Sequence, residues 1–189
     1  MNSKDVLPDF VREALETEPS DRAGVEAALV AIGDASGAES PPEALRMRIL
    51  GAATKGSMRF APFFDELGRL FDLGVDAVMS VLDRAGDESQ WEAGPHPAIR
   101  IFHLAGGPLT AGADTGFVRM PAGFQFPLHR HAASERVLIL EGGYQDVDGR
   151  VYRAGDVHEM GAGTEHAFSV LSDGPLLFAL VLHGPIEML

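Results

Sequence analysis

The sequence GFQFPLHRHAASERVLILEG, residues 123–142, carries the features that decide the fold of this chain. His129 and His131 are two positions apart, so in a β-strand their side chains project to the same face. Glu135 follows after a short turn, and a carboxylate beside two imidazoles is a recurring ligand set for first-row metal ions. The run 136–141 is rich in strand-forming residues. The stretch therefore predicts two strands with a cluster of metal-binding side chains near the turn between them.

Similar short β-rich segments continue through the C-terminal half and are separated by turn sequences. Many short strands with regular turns predict a β-sandwich or a β-barrel. The predicted strands are residues 99–104, 116–120, 136–141, 151–153, 157–160, 167–171 and 176–182.

All seven histidines lie in this half, at positions 96, 103, 129, 131, 158, 166 and 183. His166 follows a glycine-containing turn at 161–165, which could return its imidazole over the cavity that His129 and His131 face. His158 and His183 could face either the pocket or the surface, and their roles stay open. His96 and His103 are given no role.

The first half of the chain has a different pattern. Apolar residues recur at helical spacing within residues 11–15, 25–32, 45–50, 60–71 and 75–82. A segment rich in proline and glycine follows and cannot continue a helix. We therefore predict an α-helical region at 1–86, a connector at 87–97 and a β domain at 98–189.

Composition excludes several classes of function. The chain of 189 residues has no cysteine, which excludes disulfides, thiolate metal sites and cysteine nucleophiles. A formal net charge of −13 without a basic cluster argues against direct binding of nucleic acid. No secretory leader is evident, and the longest apolar run, 176–182, is too short to span a membrane. We expect a cytoplasmic protein.

The motif in residues 123–142 resembles the first conserved motif of the cupin superfamily. The matching residues are Gly123, His129, His131, Glu135 and Gly142, and the second cupin motif is matched in part by Gly155, Gly163 and His166. The resemblance implies a jelly-roll barrel that binds one divalent metal ion per chain. The ligands would be His129, His131, Glu135 and His166. Zinc is the first choice of metal, with iron, manganese and nickel as alternatives. The resemblance also implies a homodimer, because cupins often pair through edge strands.

A helical region followed by a metal-binding cupin resembles the ChrR-type anti-sigma factors. That resemblance implies a helical domain that binds an extracytoplasmic-function sigma factor, and a cupin that senses an oxidant or a small ligand and so regulates transcription. One feature departs from the family: its N-terminal zinc site of histidine and cysteine has no counterpart here. The alternative is a mononuclear non-haem dioxygenase acting on a small molecule, so the chain would be an enzyme if its metal were iron.

Overall fold

The computed structural model describes residues 56–189, which lie within one compact unit, Ile49–Leu189. The helices predicted within residues 11–50 fall outside the described residues. The predicted boundaries between helical region, connector and β domain stay a prediction. No helix in the described part of the chain is long and apolar enough to cross a membrane.

The described part begins with helices. A 3-10 helix at Gly56–Phe63 leads into helix α1, Phe64–Phe71, and helix α2 spans Val75–Ala85. Helix α1 ends at Asp72, whose φ of 56° places it in the left-handed region. The Asp72 carboxylate accepts a hydrogen bond of 2.9 Å from the backbone N–H of Leu109, which attaches the end of the helix to the β domain.

Eleven strands follow, and all of their pairings are antiparallel. They are β1 Glu92–Ala93, β2 Arg100–His103, β3 Asp114–Met120, β4 Gln125–His131, β5 Glu135–Glu141, β6 Gly143–Asp146, β7 Val151–Arg153, β8 Val157–Met160, β9 Glu165–Val170, β10 Leu176–Leu182 and β11 Ile186–Met188. One sheet has the order β1-β2-β3-β10-β5-β8 and the other β11-β4-β9-β6-β7. The two sheets form the predicted jelly roll.

The seven strands predicted with bounds are present, with ends that differ by two residues at most. Strand β4 is the strand predicted around His129 and His131, and β1, β6 and β11 are additional. Strand β6 follows β5 with only Gly142 between them. Gly142 has a φ of +68°, and at this residue the chain passes from the six-stranded sheet to the five-stranded sheet. Because one glycine makes this change of sheet, no turn sequence marks the start of β6.

The six-stranded sheet is covered on both faces. Alternate residues of a strand point to opposite faces. In β5, Leu138 and Leu140 pack in a core with the helices, whereas Val137 and Ile139 pack in the core between the two sheets. The helical side of this sheet contains Phe60, Leu67, Leu70, Phe71, Val78 and Leu82. The apolar face predicted for residues 60–71 therefore packs onto the barrel.

Candidate metal centre

Strand β4 places two histidines inside the barrel. The register between β4 and β9 shifts between Phe126 and His129, so two residues separate these two inward-facing side chains. Beyond this irregularity the strand alternates regularly, and His129 and His131 are both buried while Arg130 is exposed. Because of the irregularity, Phe126, His129 and His131 all face the interior of the barrel from this one strand.

His166 comes from the neighbouring strand of the same sheet. It lies directly opposite His129 in the pairing of β4 with β9. Three buried imidazoles, those of His129, His131 and His166, thus converge, with one ring nitrogen of each within 4.8 Å of the others. The turn at 161–165 therefore returns His166 to the side of the barrel that His129 and His131 face, as the sequence suggested.

Glu135, the first residue of β5 in the other sheet, lies beside His131 but outside the group of three imidazoles whose ring nitrogens converge. Its Oε2 atom lies 3.0 Å from Nδ1 of His131, a distance that alone would suit an ion pair or a hydrogen bond. The direction does not suit a hydrogen bond, and neither ring nitrogen of His131 has a hydrogen-bond partner among residues 56–189. Two ligand atoms at about 2.1 Å from one ion would be about 3.0 Å apart at right angles and about 3.4 Å apart in a tetrahedral site. The contact is therefore compatible with two atoms that bind a common ion.

The other two imidazoles are oriented by hydrogen bonds at Nδ1. The His129 Nδ1 atom lies 2.9 Å from the carbonyl oxygen of Pro127, and the His166 Nδ1 atom lies 2.8 Å from Oδ2 of the buried Asp146. If Nδ1 donates in both, Nε2 carries a lone pair and is available to a metal. A carboxylate behind a metal-binding histidine is a common arrangement that fixes its tautomer.

Burial favours the uncharged form of His129, the form that a metal requires. Desolvation lowers the pKa of His129, an effect strengthened by its neighbours His166 and His131 and opposed by its hydrogen bond to Pro127. A neutral imidazole has a lone pair to offer, whereas an imidazolium has none. The site is thus suited to hold a cation near neutral pH.

These observations fit the ion that the sequence predicts. His129, His131, Glu135 and His166 would hold it, although their assignment as ligands stays a prediction. Three nitrogen ligands and one oxygen ligand suit a first-row divalent ion, which would supply Lewis acidity, or redox chemistry if it were iron.

A second set of side chains, Asp146, His158 and His166, also lies within 4.8 Å. Its members already have partners. Asp146 binds His166, and Nδ1 of His158 lies 2.7 Å from the hydroxyl of Tyr144. His131 has no hydrogen-bond partner in the described part of the chain, which favours the first group as the site for an ion.

An open cavity of about 240 Å³ lies between the two sheets, and His129 and His166 are part of its wall. Its walls are mostly apolar and include Ile99, Val118, Met120, Phe126, Phe168 and Leu180. His129, Glu135, His166 and Tyr144 supply polar atoms, and so do His103 and Asp114, which are both exposed. The cavity can therefore hold a small, largely apolar molecule next to the metal group.

Sequence reasoning did not identify Tyr144 and Asp146, and it left His158 without a role. Tyr144 and Asp146 are both buried and two positions apart in β6, a strand that was not predicted. The same period of two that revealed His129 and His131 would have revealed them. His96, His103 and His183 are all exposed.

Two antiparallel sheets with a histidine cluster between them define a protein of the cupin superfamily. The sequence profile of the ChrR cupin-like domain matches residues 84–187, more than half of the chain, and the chain belongs to that family. No curated protein is significantly similar to the sequence.

Several solved structures are similar to this chain in fold. A cupin-like protein of unknown function from Ralstonia eutropha JMP134 is 22% identical, with a TM-score of 0.47 over 55% of this chain and 68% of that one. An acetylacetone dioxygenase from Acinetobacter johnsonii is 19% identical, with a TM-score of 0.46 over 55% and 74%. The DMSP lyase DddQ from Ruegeria pomeroyi DSS-3 is 22% identical, with a TM-score of 0.46 over 60% and 67%.

Proposed function

We propose that this chain is a metal-binding regulatory protein of the ChrR-like anti-sigma type. Its barrel would sense an oxidant or a small ligand at a metal ion held by His129, His131, Glu135 and His166. The observation that carries the proposal is the convergence of three buried imidazoles beside an open cavity. An ion in this position can be reached by a small molecule from the cavity.

The packing of the helices supports a regulatory role. Helices α1 and α2 cover the outer face of the sheet whose strand β5 begins with Glu135. The proposed partner of the helical region 1–86 is an extracytoplasmic-function sigma factor. The net charge of −13 favours encounter with a basic protein surface, since opposite charges speed association.

The test is a binding assay between this chain and each extracytoplasmic-function sigma factor of the same genome. The zinc-loaded chain should retain one of them, and exposure to singlet oxygen or an organic hydroperoxide should release it. His166→Ala is the matched variant, because it should lose the metal and with it the response to the oxidant. Failure to bind any sigma factor in the resting, oxidised and metal-free states would contradict the regulatory role.

The cavity favours a second candidate function, that of a mononuclear non-haem dioxygenase acting on a small carbonyl or thiol compound. Its apolar walls beside the histidines would hold such a substrate against an iron ion. The measurement is oxygen consumption by the iron-loaded protein with candidate substrates. Tight retention of zinc without turnover in the iron form would count against the enzyme.

A cytoplasmic homodimer remains our expectation for the assembled protein. Light scattering coupled to gel filtration measures the mass directly, and a mass of one chain would contradict the dimer.

A further inference from the structure

We infer that the chain has a second binding site, which takes a small monocarboxylate with an apolar body. The site is a cavity between the helices and the outer face of the six-stranded sheet. The juxtaposition that carries the inference is a pair of guanidinium groups, those of Arg59 and Arg119, on the wall of this one cavity. The inference concerns a different site from the metal centre and does not depend on the proposed function.

This helix-side cavity is open and has a volume of about 410 Å³. The helices contribute Phe60 and Leu82 to its wall, and the sheet contributes Phe117, Leu140 and Leu177. None of the described residues lines both this cavity and the one whose wall contains the histidines. Because alternate residues of a strand point to opposite faces, the two cavities are separate sites on the two sides of one sheet.

Arg119 is held in position but has a weak anionic partner. Its Cζ atom lies 4.2 Å from the centroid of the Trp91 ring. Its side chain is 30% exposed, the lowest value among the ion-paired arginines of residues 56–189, whereas its partner Glu88 is 71% exposed, the highest value among their carboxylates. An ion pair with so exposed a carboxylate adds little stability, so the carboxylate of a ligand can replace Glu88 at small cost.

Arg59 adds a second positive charge to the same wall. In the sheet, Leu177 lies between Arg119 on β3 and Glu141 on β5, and Arg59 approaches Glu141 from the 3-10 helix at 3.1 Å. Glu141 is not part of the cavity wall, so the wall carries two guanidinium groups and one carboxylate, that of Glu88. A cavity with this excess of positive charge attracts an anion, and the excess of one favours a monoanion. The two arginines are 60 positions apart, so no basic cluster is evident in the sequence.

The size and lining of the helix-side cavity indicate the rest of the ligand. A guanidinium group matches a carboxylate because it can donate two parallel hydrogen bonds to the two oxygens. At about 30 Å³ for each water in the liquid, 410 Å³ has room for about 14 non-hydrogen atoms. The side chains of Phe117, Leu140 and Leu177 offer no hydrogen bonds, so the body of the ligand should be apolar. Cyclohexanecarboxylate is therefore the probe, and cyclohexanecarboxamide is its neutral analogue.

The first test uses the fluorescence of the natural protein. Trp91 is the one tryptophan of the chain and lies on the wall of this cavity, so its emission reports occupation of the site. Titration with cyclohexanecarboxylate should give a saturable change, and the amide should bind at least about tenfold more weakly. No saturable change with the carboxylate, or equal affinities for the two probes, would overturn the inference.

The second test compares Arg119→Gln with Arg136→Gln. Arg136 lies on the same sheet and pairs with the exposed Glu159 at 3.0 Å, but it lines neither cavity. Arg119→Gln should weaken binding of cyclohexanecarboxylate by roughly 10–100-fold, as expected for the loss of a hydrogen bond between charged groups. Arg136→Gln should change it by less than about twofold. Equal affinities in the two variants would contradict the site.

The third test separates recognition of charge from a structural role of Arg119. Glu88→Gln removes the carboxylate that competes with the ligand, and should strengthen binding of cyclohexanecarboxylate by roughly two- to fivefold. Binding of the amide should not change. A structural role alone gives no reason for such a gain, so unchanged or weaker binding of the carboxylate by Glu88→Gln would overturn the inference.

A titration in the presence of a chelator distinguishes this site from the metal centre. The affinity for cyclohexanecarboxylate should stay the same, because none of the residues proposed to hold the metal lines the helix-side cavity. A loss of affinity would place the probe at the metal centre and overturn this inference. A natural protein that retains no metal would instead contradict the proposed function alone.

Discussion

At the scale of single residues, His131 gives the strongest indication that the site can bind an ion. It is fully buried, and in the described part of the chain neither ring nitrogen has a hydrogen-bond partner. Leaving one buried polar group unpaired costs about 1–3 kcal/mol. An ion bound to His131 would remove that cost.

The first prediction concerns His166. Replacing His166 by Ala removes one imidazole from the group, and we expect metal affinity to fall by more than about 100-fold, the upper end of what losing a partner behind a ligand costs. Elemental analysis and competition with a chelator measure the loss. His183→Ala, a change at an exposed histidine, is the control. Unchanged metal content in His166→Ala would contradict the ligand assignment.

The second prediction concerns Asp146, which accepts a hydrogen bond from Nδ1 of His166. Asp146→Asn keeps the shape but loses the charge, and should weaken metal binding by roughly 10–100-fold. The exposed Asp173 pairs with Arg153, and Asp173→Asn should leave affinity unchanged. Equal affinity in both variants would show that Asp146 does not support the metal.

At this scale, spacing along the chain predicted part of the site. The two-residue spacing of His129 and His131 indicated a shared face from local geometry alone. Asp146 meets His166 across 20 positions of sequence, and this contact depends on how β6 pairs with β9. Pairings of this kind are decided by packing of the whole barrel, which a local pattern does not contain.

At the scale of secondary-structure elements, two glycines of the cupin motif have backbone conformations that side chains disfavour. Gly123 has a φ of +72° and Gly142 a φ of +68°. A Cβ atom on Gly142 would also lie 2.2 Å from the carbonyl oxygen of Pro175, whereas one on Gly123 would meet nothing within 4 Å. Gly142 is therefore required by both its positive φ and the close approach of Pro175, whereas Gly123 is required by its positive φ alone.

The third prediction follows from this difference. Gly142→Ala should lower the free energy of unfolding by about 2–4 kcal/mol, through both strain and the clash. Gly123→Ala should lower it by about 1–2 kcal/mol through strain alone. Gly161→Ala, at a site with open space and no positive φ, is the control. Urea denaturation measures all three, and equal losses at residues 142 and 161 would contradict the argument.

At the scale of the whole molecule, burial of histidines makes stability depend on pH. Desolvation lowers the pKa of His129 and of His158 in the folded protein. An unfolded chain regains the ordinary value of about 6.5 and binds more protons below it. Because the unfolded chain binds more protons, the folded state becomes less stable as the pH falls below the pKa of the unfolded chain. Above that pKa the stability no longer depends on these two histidines.

The fourth prediction is that the metal-free protein loses stability as the pH falls below about 6.5. Urea denaturation in the presence of a chelator, at several pH values between 5 and 8, measures this profile. His158→Gln removes one of the two groups and should make the slope shallower. A natural protein equally stable across this range would contradict the shift.

The packing partner of the helices could not be predicted from the sequence. The period of the apolar residues at 60–71 indicated a helix, but it did not show what the apolar face packs against. The structure selects the barrel, with Phe71 in an edge-to-face contact with Phe117 at 5.6 Å. The choice depends on the outer face of the six-stranded sheet, whose apolar residues alternate with those of its inner face.

Because of this alternation, a single layer of β-strands separates the core with the helices from the core between the two sheets. Leu138 touches the helical side and its neighbour Val137 lines the cavity, so adjacent residues belong to opposite compartments. A shift of β5 toward a molecule in the cavity would therefore also move Leu138 and Leu140, which pack with the helices. Since Glu135 is the first residue of this strand, we expect a displacement of Glu135 to reach the helices through β5.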